Sequence, residues 1–423
     1  MQIRSERAVR EWIATCVKET PIFDMHTHLF APCFGELLRY GMDETLTYHY
    51  LVEETLLVTG MAPHEYWDLQ KPRQAELIWQ TLFVDRTPVS ESCRTVLAML
   101  QRDGLDVNEK DLDACRAFYA GLSRRQYVED VFRREQITGV MMTNDPFCPE
   151  EARVWLQGGY EGDPRFLPAL RIDDLLFYAP AAVEALEKWG YAAERTKDGK
   201  PTAAALPEIR RFLEDWLDRT QAQYCAASLP VAFSVEDGSA CATILTECVL
   251  PVCKARNLPV ALMLGVTRRV HPAMLEAGDS LGKADIRQLH KLFLDHRENL
   301  FLVTALAREN QQELTATARI FNNVLLFGCW WFLNNPVFME ELTRMRYELL
   351  GPKFVAQHSD ANMLGHLEGK WERFKAVLTR VLAGYYAELL TMGYYPEDSA
   401  IREEVADLCG GYYHKFLARA YRA

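Results

Sequence analysis

Two histidines separated by one residue, His26 and His28, close the apolar run Pro21-Ile22-Phe23-Asp24-Met25. On an extended strand side chains repeat with period two, so both imidazoles project to one side and make half of a metal site. A lone His-x-His pair is also a common coincidence, and the reading gains weight only when other ligands converge on it. Asp360, in Gln357-His358-Ser359-Asp360, is the carboxylate that completes a three-ligand set if the first and last strands adjoin. Two neutral imidazoles and one carboxylate leave positions open for water or substrate, the donor set expected of catalytic zinc or a similar divalent ion. His358 can share the side of Asp360 or sit as a satisfied core histidine, and the second is the simpler reading. Arg171 has a guanidinium able to clamp a carboxylate through two parallel hydrogen bonds, or to pair with Asp173 or Asp174. Asp145, in Thr143-Asn144-Asp145-Pro146, can orient a ligand or, more simply, cap the helix that follows.

These residues fall at the ends of short apolar runs. After the first run come 139–143, 166–171, 230–235, 259–264, 300–304, 323–327 and 353–358, making eight. Segments of helical period separate most of them; Ile209, Phe212, Leu213, Trp216 and Leu217 form one stripe, and Trp371, Phe374, Leu378 and Leu382 another. Such stripes are core faces. Continuously apolar strands alternating with helices imply a parallel sheet covered by helices, and eight units predict an α/β fold of the (β/α)8 TIM type, with a doubly wound open sheet as the alternative. In that barrel the first and eighth strands adjoin, and active sites lie at the strands' C-terminal ends. Residues 3–19 read as an entry helix closed by Pro21. Residues 31–135 are too long for one crossover and read as a helical insertion within a single catalytic domain spanning 1–423.

Composition narrows the classes of function. The chain has 423 residues, 49% of them hydrophobic, and a net charge of -12 without a dense basic block, so no nucleic-acid or anionic-membrane partner is expected. The N-terminus has no apolar segment with a small-residue cleavage site, and no run approaches a membrane span. Eleven cysteines, odd in number and without a CxxC pair, suit a reducing, cytoplasmic setting with buried thiols. A homo-oligomer is left open.

Asp24-Met25-His26-Thr27-His28-Leu29 resembles the first-strand signature of the amidohydrolase superfamily, and the rest of the chain resembles its uronate isomerase branch. His49-Tyr50, Thr143-Asn144-Asp145-Pro146, Leu170-Arg171-Ile172-Asp173, Gly328-Cys329-Trp330-Trp331-Phe332 and Phe354 to Asp360 follow in that family's order. The resemblance implies a metal-dependent barrel that isomerises an aldose-type hexuronate to its ketose, as D-glucuronate to D-fructuronate or D-galacturonate to D-tagaturonate. The departures touch the site. Met263 stands where the family carries a strand-five histidine, and Asn362 where it carries an arginine beside the strand-eight aspartate. A thioether is a poor ligand for a hard ion, so His26, His28 and Asp360 are left to hold it, with His358 as a further candidate. Arg171, Arg268 and Arg269 are the candidates to hold the substrate acid.

Isomerisation moves a proton from C2 to C1 through an enediolate. One divalent ion, zinc by preference, would polarise the carbonyl. Asp360 is the expected base, directly or through water held on the ion, and Tyr50 is the family-matched acid. The resemblance gives His49 and Arg171 to the substrate, with Trp330 and Trp331 walling the sugar, or one of the two facing the helix layer because successive side chains diverge. Two other readings stand beside it: a metal-dependent hydrolase or decarboxylase of a small carboxylated substrate, and a non-catalytic barrel that binds sugar acids.

Overall fold

The computed structural model describes residues 2–158 and 162–420. Chemistry at the N-terminus starts the first helix: Ser5 Oγ accepts a hydrogen bond from Ala8 N, and Glu6 and Lys18 lie at the ends of Glu6–Glu19 that favour their charges. Val9, Ile13, Cys16 and Val17 make its buried stripe. Ile3, expected inside the helix, precedes it and donates its N–H to Pro396 O.

The strands are β1 (Ile22–Thr27), β2 (Ile137–Asn144), β3 (Phe166–Arg171), β4 (Cys225–Pro230), β5 (Val260–Thr267), β6 (Ser280–Leu281), β7 (Phe301–Ala305) and β8 (Val324–Leu326). They pair in the order β1-β2-β3-β4-β5-β7-β8, all parallel, while the two-residue β6 lies antiparallel on β5. Sequential order excludes the doubly wound sheet, whose strand order must reverse. The segment 353–361 completes the barrel without forming a continuous ladder. Val355 N donates to Leu326 O at 3.0 Å on one side, and on the other Asp360 N donates to His26 O at 3.1 Å and His28 N to Ala361 O at 2.9 Å.

Two strand expectations are corrected. The fourth strand is Cys225–Pro230, not 230–235. Its Cys-Ala-Ala-Ser start carries little apolar signal, whereas the stronger run after Pro230 is a loop that sends Phe233 into the core. The expected strand 353–358 pairs through isolated bonds instead of a ladder.

Side chains from the strands fill the barrel, among them Met25, Met141, Ala169, Ala226, Met263 and Phe327. A larger core lies between sheet and helices and takes in both predicted stripes. Between β1 and β2 the chain runs through helices that include His49–Thr59, Glu91–Arg102, Leu112–Ala120 and Arg124–Glu135. After residue 361 the long helix Leu364–Thr391 covers the closure and packs against Glu91–Arg102. Among the described residues no helix is long and apolar enough to cross a membrane.

Candidate active site

β1 does not alternate simply. Asp24 turns toward the covering helix, where Trp371 Nε1 donates to its Oδ2 at 2.7 Å, and Ser359 N donates to both carboxylate oxygens at 3.1 Å. Two residues later His26 lies inside, its ring 5.3 Å from that of His358. The pairing of β1 with β2 shifts register between Asp24 and Thr27, and such an irregularity re-aims the side chains beyond it. Asp24 is thus a buried tie between the first strand, the last and the covering helix. The Trp371 stripe, read as core alone, also donates a polar bond.

His26, His28 and Asp360 converge. Asp360 Oδ1 stands 3.4 Å from His26 Nε2 and 3.3 Å from His28 Nε2, and all three ligand atoms lie within 4.8 Å of one another. Oδ1 is enclosed and, among the described residues, has no hydrogen-bond partner despite the two neighbours. Atoms held about 2.0–2.2 Å from a tetrahedral ion stand roughly 3.3–3.6 Å apart, so the observed spacing and the orphaned oxygen fit a metal's ligand edge. The cluster can hold one metal ion.

The surroundings point the ligands. Thr143 Oγ1 donates to Thr27 O at 2.9 Å and lies 3.4 Å from His26 Nδ1. With its single proton used on the carbonyl, the hydroxyl accepts from Nδ1–H, which leaves the Nε2 lone pair for the ion. Asp360 has φ +52°, left-handed backbone that Asp tolerates better than most residues. Burial alone would raise the Asp360 carboxyl, but the contacts with His26 and His28 hold it well below the usual carboxylate range. Burial lowers His28 and, more strongly, His358.

His358 is buried as expected but not satisfied, since neither ring nitrogen has a hydrogen-bond partner among the described residues. It lies under Gly328, where an added Cβ would fall 2.1 Å from Nδ1. It is not part of the three-residue cluster. Met263 packs inside the barrel, 3% exposed.

His49 and Tyr50 open the helix His49–Thr59 above the cluster. Burial lowers His49 to about 4, and the charge of Asp360 partly opposes this. Burial raises the Tyr50 phenol, an effect to which Asp360 adds. Both His49 Nε2 and Tyr50 Oη are enclosed without hydrogen-bond partners among the described residues. The Tyr50 ring stacks on Phe332 at 5.8 Å, and with Glu53, Trp331 and Phe332 it lines a cleft of about 310 Å³. Trp330 packs into the barrel interior, whereas Trp331, at φ +51°, stands in the cleft wall. A bulky side chain in left-handed backbone is strained, and such strain gathers at functional sites.

Arg171 took its ion-pair alternative: Nε donates to Asp173 Oδ2 at 2.6 Å, and Asp145 and Asp174 add to the negative field. Asp145 does not cap the next helix. Its Oδ1 accepts from Phe147 N at 2.9 Å, a local turn, and Cys148 holds the cap position. Arg268 pairs with Asp279, and Arg269 donates its backbone N–H to the same carboxylate. Residue patterns near Asp24 and Thr143 carried no signal of their roles, because each acts through a segment remote in sequence.

Neither a protein-family model nor a curated protein matches the chain. Solved structures do. A uronate isomerase from Bacillus halodurans C-125 is 42% identical with a TM-score of 0.94, over 98% of this chain and 97% of that one. A uronate isomerase from Thermotoga maritima shares the fold at 19% identity and TM-score 0.75, covering 96% of this chain and 97% of its own. A glucuronate isomerase from Caulobacter crescentus does so at 17% and 0.75, covering 98% and 94%. Identity of this level along nearly the full length of both chains, on a barrel that brings His26, His28 and Asp360 to one point, makes this chain an isomerase, an intramolecular oxidoreductase belonging to the uronate isomerase family.

Proposed function

We propose that this enzyme interconverts an aldose-type hexuronate and its ketose, D-glucuronate with D-fructuronate or D-galacturonate with D-tagaturonate, in a metal-dependent reaction. The observation that carries the metal dependence is the convergence of two imidazole nitrogens on an unpartnered Asp360 oxygen. A donor set of two imidazoles and one carboxylate suits zinc, and His26, His28 and Asp360 would hold it. When bound, such an ion supplies charge that stabilises the oxyanion developing on the sugar. Family membership favours isomerisation over the hydrolytic, decarboxylating and non-catalytic readings that the residues left open.

The chain's own groups supply the proton transfers. Both close contacts of Asp360 fall on Oδ1, which leaves Oδ2 to take the C2 proton and return it to C1. The same carboxylate serves both carbons because they are neighbours and the enediolate stays in place. The Tyr50 phenol, kept protonated by burial, is suited to give its proton to the C1 oxygen and, as the phenolate, to take up the proton that the C2 hydroxyl loses. His49, kept neutral by burial, is suited to hydrogen-bond a sugar hydroxyl, and Trp331 offers an apolar wall. Trp330 supports that wall from within the barrel.

Incubation of metal-loaded enzyme with each hexuronate in heavy water, followed by proton NMR, tests the reaction. Loss of the C2 proton signal together with appearance of ketose is expected. Retention of the C2 proton without ketose from either sugar would rule the reading out.

A further inference from the structure

Lys370 lies on Leu364–Thr391, one turn after His366, and is 2% exposed. Among the described residues no hydrogen bond or ion pair reaches its Nζ. Removing an ammonium from water without a partner is costly, so buried cations are normally paired. Its neighbours in the molecule follow that rule. Arg134 is held by Asp103 and Glu368, Arg373 by Glu91, and Arg346 by Gly328 O and Gln311. Lys370 is the exception.

The packing of its helix aims it. Gly365 and Gly369 lie against the helix Glu91–Arg102; a Cβ on Gly365 would fall 2.1 Å from Met99 Sδ, and one on Gly369 3.2 Å from Thr95 Cγ2. With that face locked, His366 and Lys370, each one residue further on, share the adjacent strip. The His366 ring is 4.8 Å from that of Tyr48, which is 4.3 Å from His49 and 5.0 Å from Tyr50. The strip therefore faces the group that overhangs the metal cluster. The Lys370 charge acts on His49, His358 and His366, all of them lowered chiefly by burial and unable to neutralise it. Arg171 and Arg268 are already engaged by aspartates.

We propose that the Lys370 ammonium binds the carboxylate of the sugar-acid substrate. This rests on the reading that the substrate is a hexuronate, and it names the group on the enzyme that selects the acid. The carboxylate keeps its charge throughout the reaction, so the contact is equally strong in ground and transition states. Its loss should raise KM and spare kcat.

Kinetics of wild type, K370M and K370R on D-glucuronate and D-galacturonate, with thermal denaturation of each, test the assignment. K370M removes an unpaired buried charge and should unfold at or above the wild-type temperature. Its KM should rise about 10- to 150-fold with kcat little changed, the range for a hydrogen bond to a charged group, and K370R should recover most of the loss. A folded K370M with wild-type KM, or one with lowered kcat at unchanged KM, overturns the proposal. If K370M does not fold, K370Q is read by the same criteria. If wild type converts neither sugar, the functional reading fails separately, and calorimetry decides the lysine: tighter binding of D-glucuronate to wild type than to K370M supports it, and equal binding overturns it.

Discussion

Asp360 keeps its charge in an enclosed place because two imidazoles face it, and those imidazoles are useful only with their lone pairs turned inward. Thr143 sets this for His26. Replacing it by valine keeps the shape and removes the acceptor for Nδ1–H, so Thr143→Val should weaken metal binding about 10- to 100-fold, as competition with a chromogenic chelator would show. Unchanged affinity would mean that the 3.4 Å contact does not hold the tautomer. Tyr50 is the complementary case. Burial keeps its phenol protonated, and its oxygen has no hydrogen-bond partner among the described residues. Tyr50→Phe removes the hydroxyl and keeps the ring on Phe332, so kcat should fall about 10²- to 10⁴-fold with KM altered much less. Steady-state kinetics that show an intact kcat would exclude it as the acid.

The elements that carry these residues are held by a few specific contacts. Gly328, at φ +67°, leaves room for His358, and Asp24 joins β1, the segment 353–361 and the covering helix through Ser359 and Trp371. The helix His49–Thr59 brings His49 and Tyr50 over the barrel together with Glu53, whose carboxyl is raised to about 8 by burial and by Asp279. Between about pH 4.5 and 8 the folded state keeps a proton on Glu53 that the unfolded chain has lost, so this group lowers stability as pH rises through that window. Glu53→Gln should leave stability at pH 5 nearly unchanged and raise it at pH 8 by on the order of 2 kcal/mol in chemical denaturation. Equal effects at the two pH values would contradict the shift.

Across the molecule, the candidate metal cluster sits on the seam of the barrel. Its candidate ligands come from β1 and the residue just after it, and from the segment that follows β8, which meet through the two backbone bonds at His26 and His28. An ion bound there would join the first strand to the last, and binding to the folded state alone stabilises it by about 2.7 kcal/mol at a ligand concentration 100-fold above Kd. Chelation should therefore lower the melting temperature by a few degrees as well as abolish turnover, and added zinc should restore both. Calorimetric scans that show no change on chelation would argue against an ion at the seam.

Local pattern was enough to read the strand–helix rhythm, the His26–His28 pair and the candidacy of Asp360, because periodicity and spacing are properties of neighbouring residues. It misplaced β4, whose small side chains are made apolar enough by burial on both faces and not by their own hydrophobicity. For Arg171 it left two partners open, and the fold decided for Asp173. The tie at Asp24, the hydroxyl behind His26 and the unpaired ammonium of Lys370 were beyond it, since each depends on groups far apart in the chain. Asp24 meets Ser359 and Trp371, and the charge of Lys370 reaches His49. Which ligands could bind a metal was written in residue types. How they are oriented, and where the Lys370 ammonium is buried, was decided by closure of the barrel and by the helix packed across its seam.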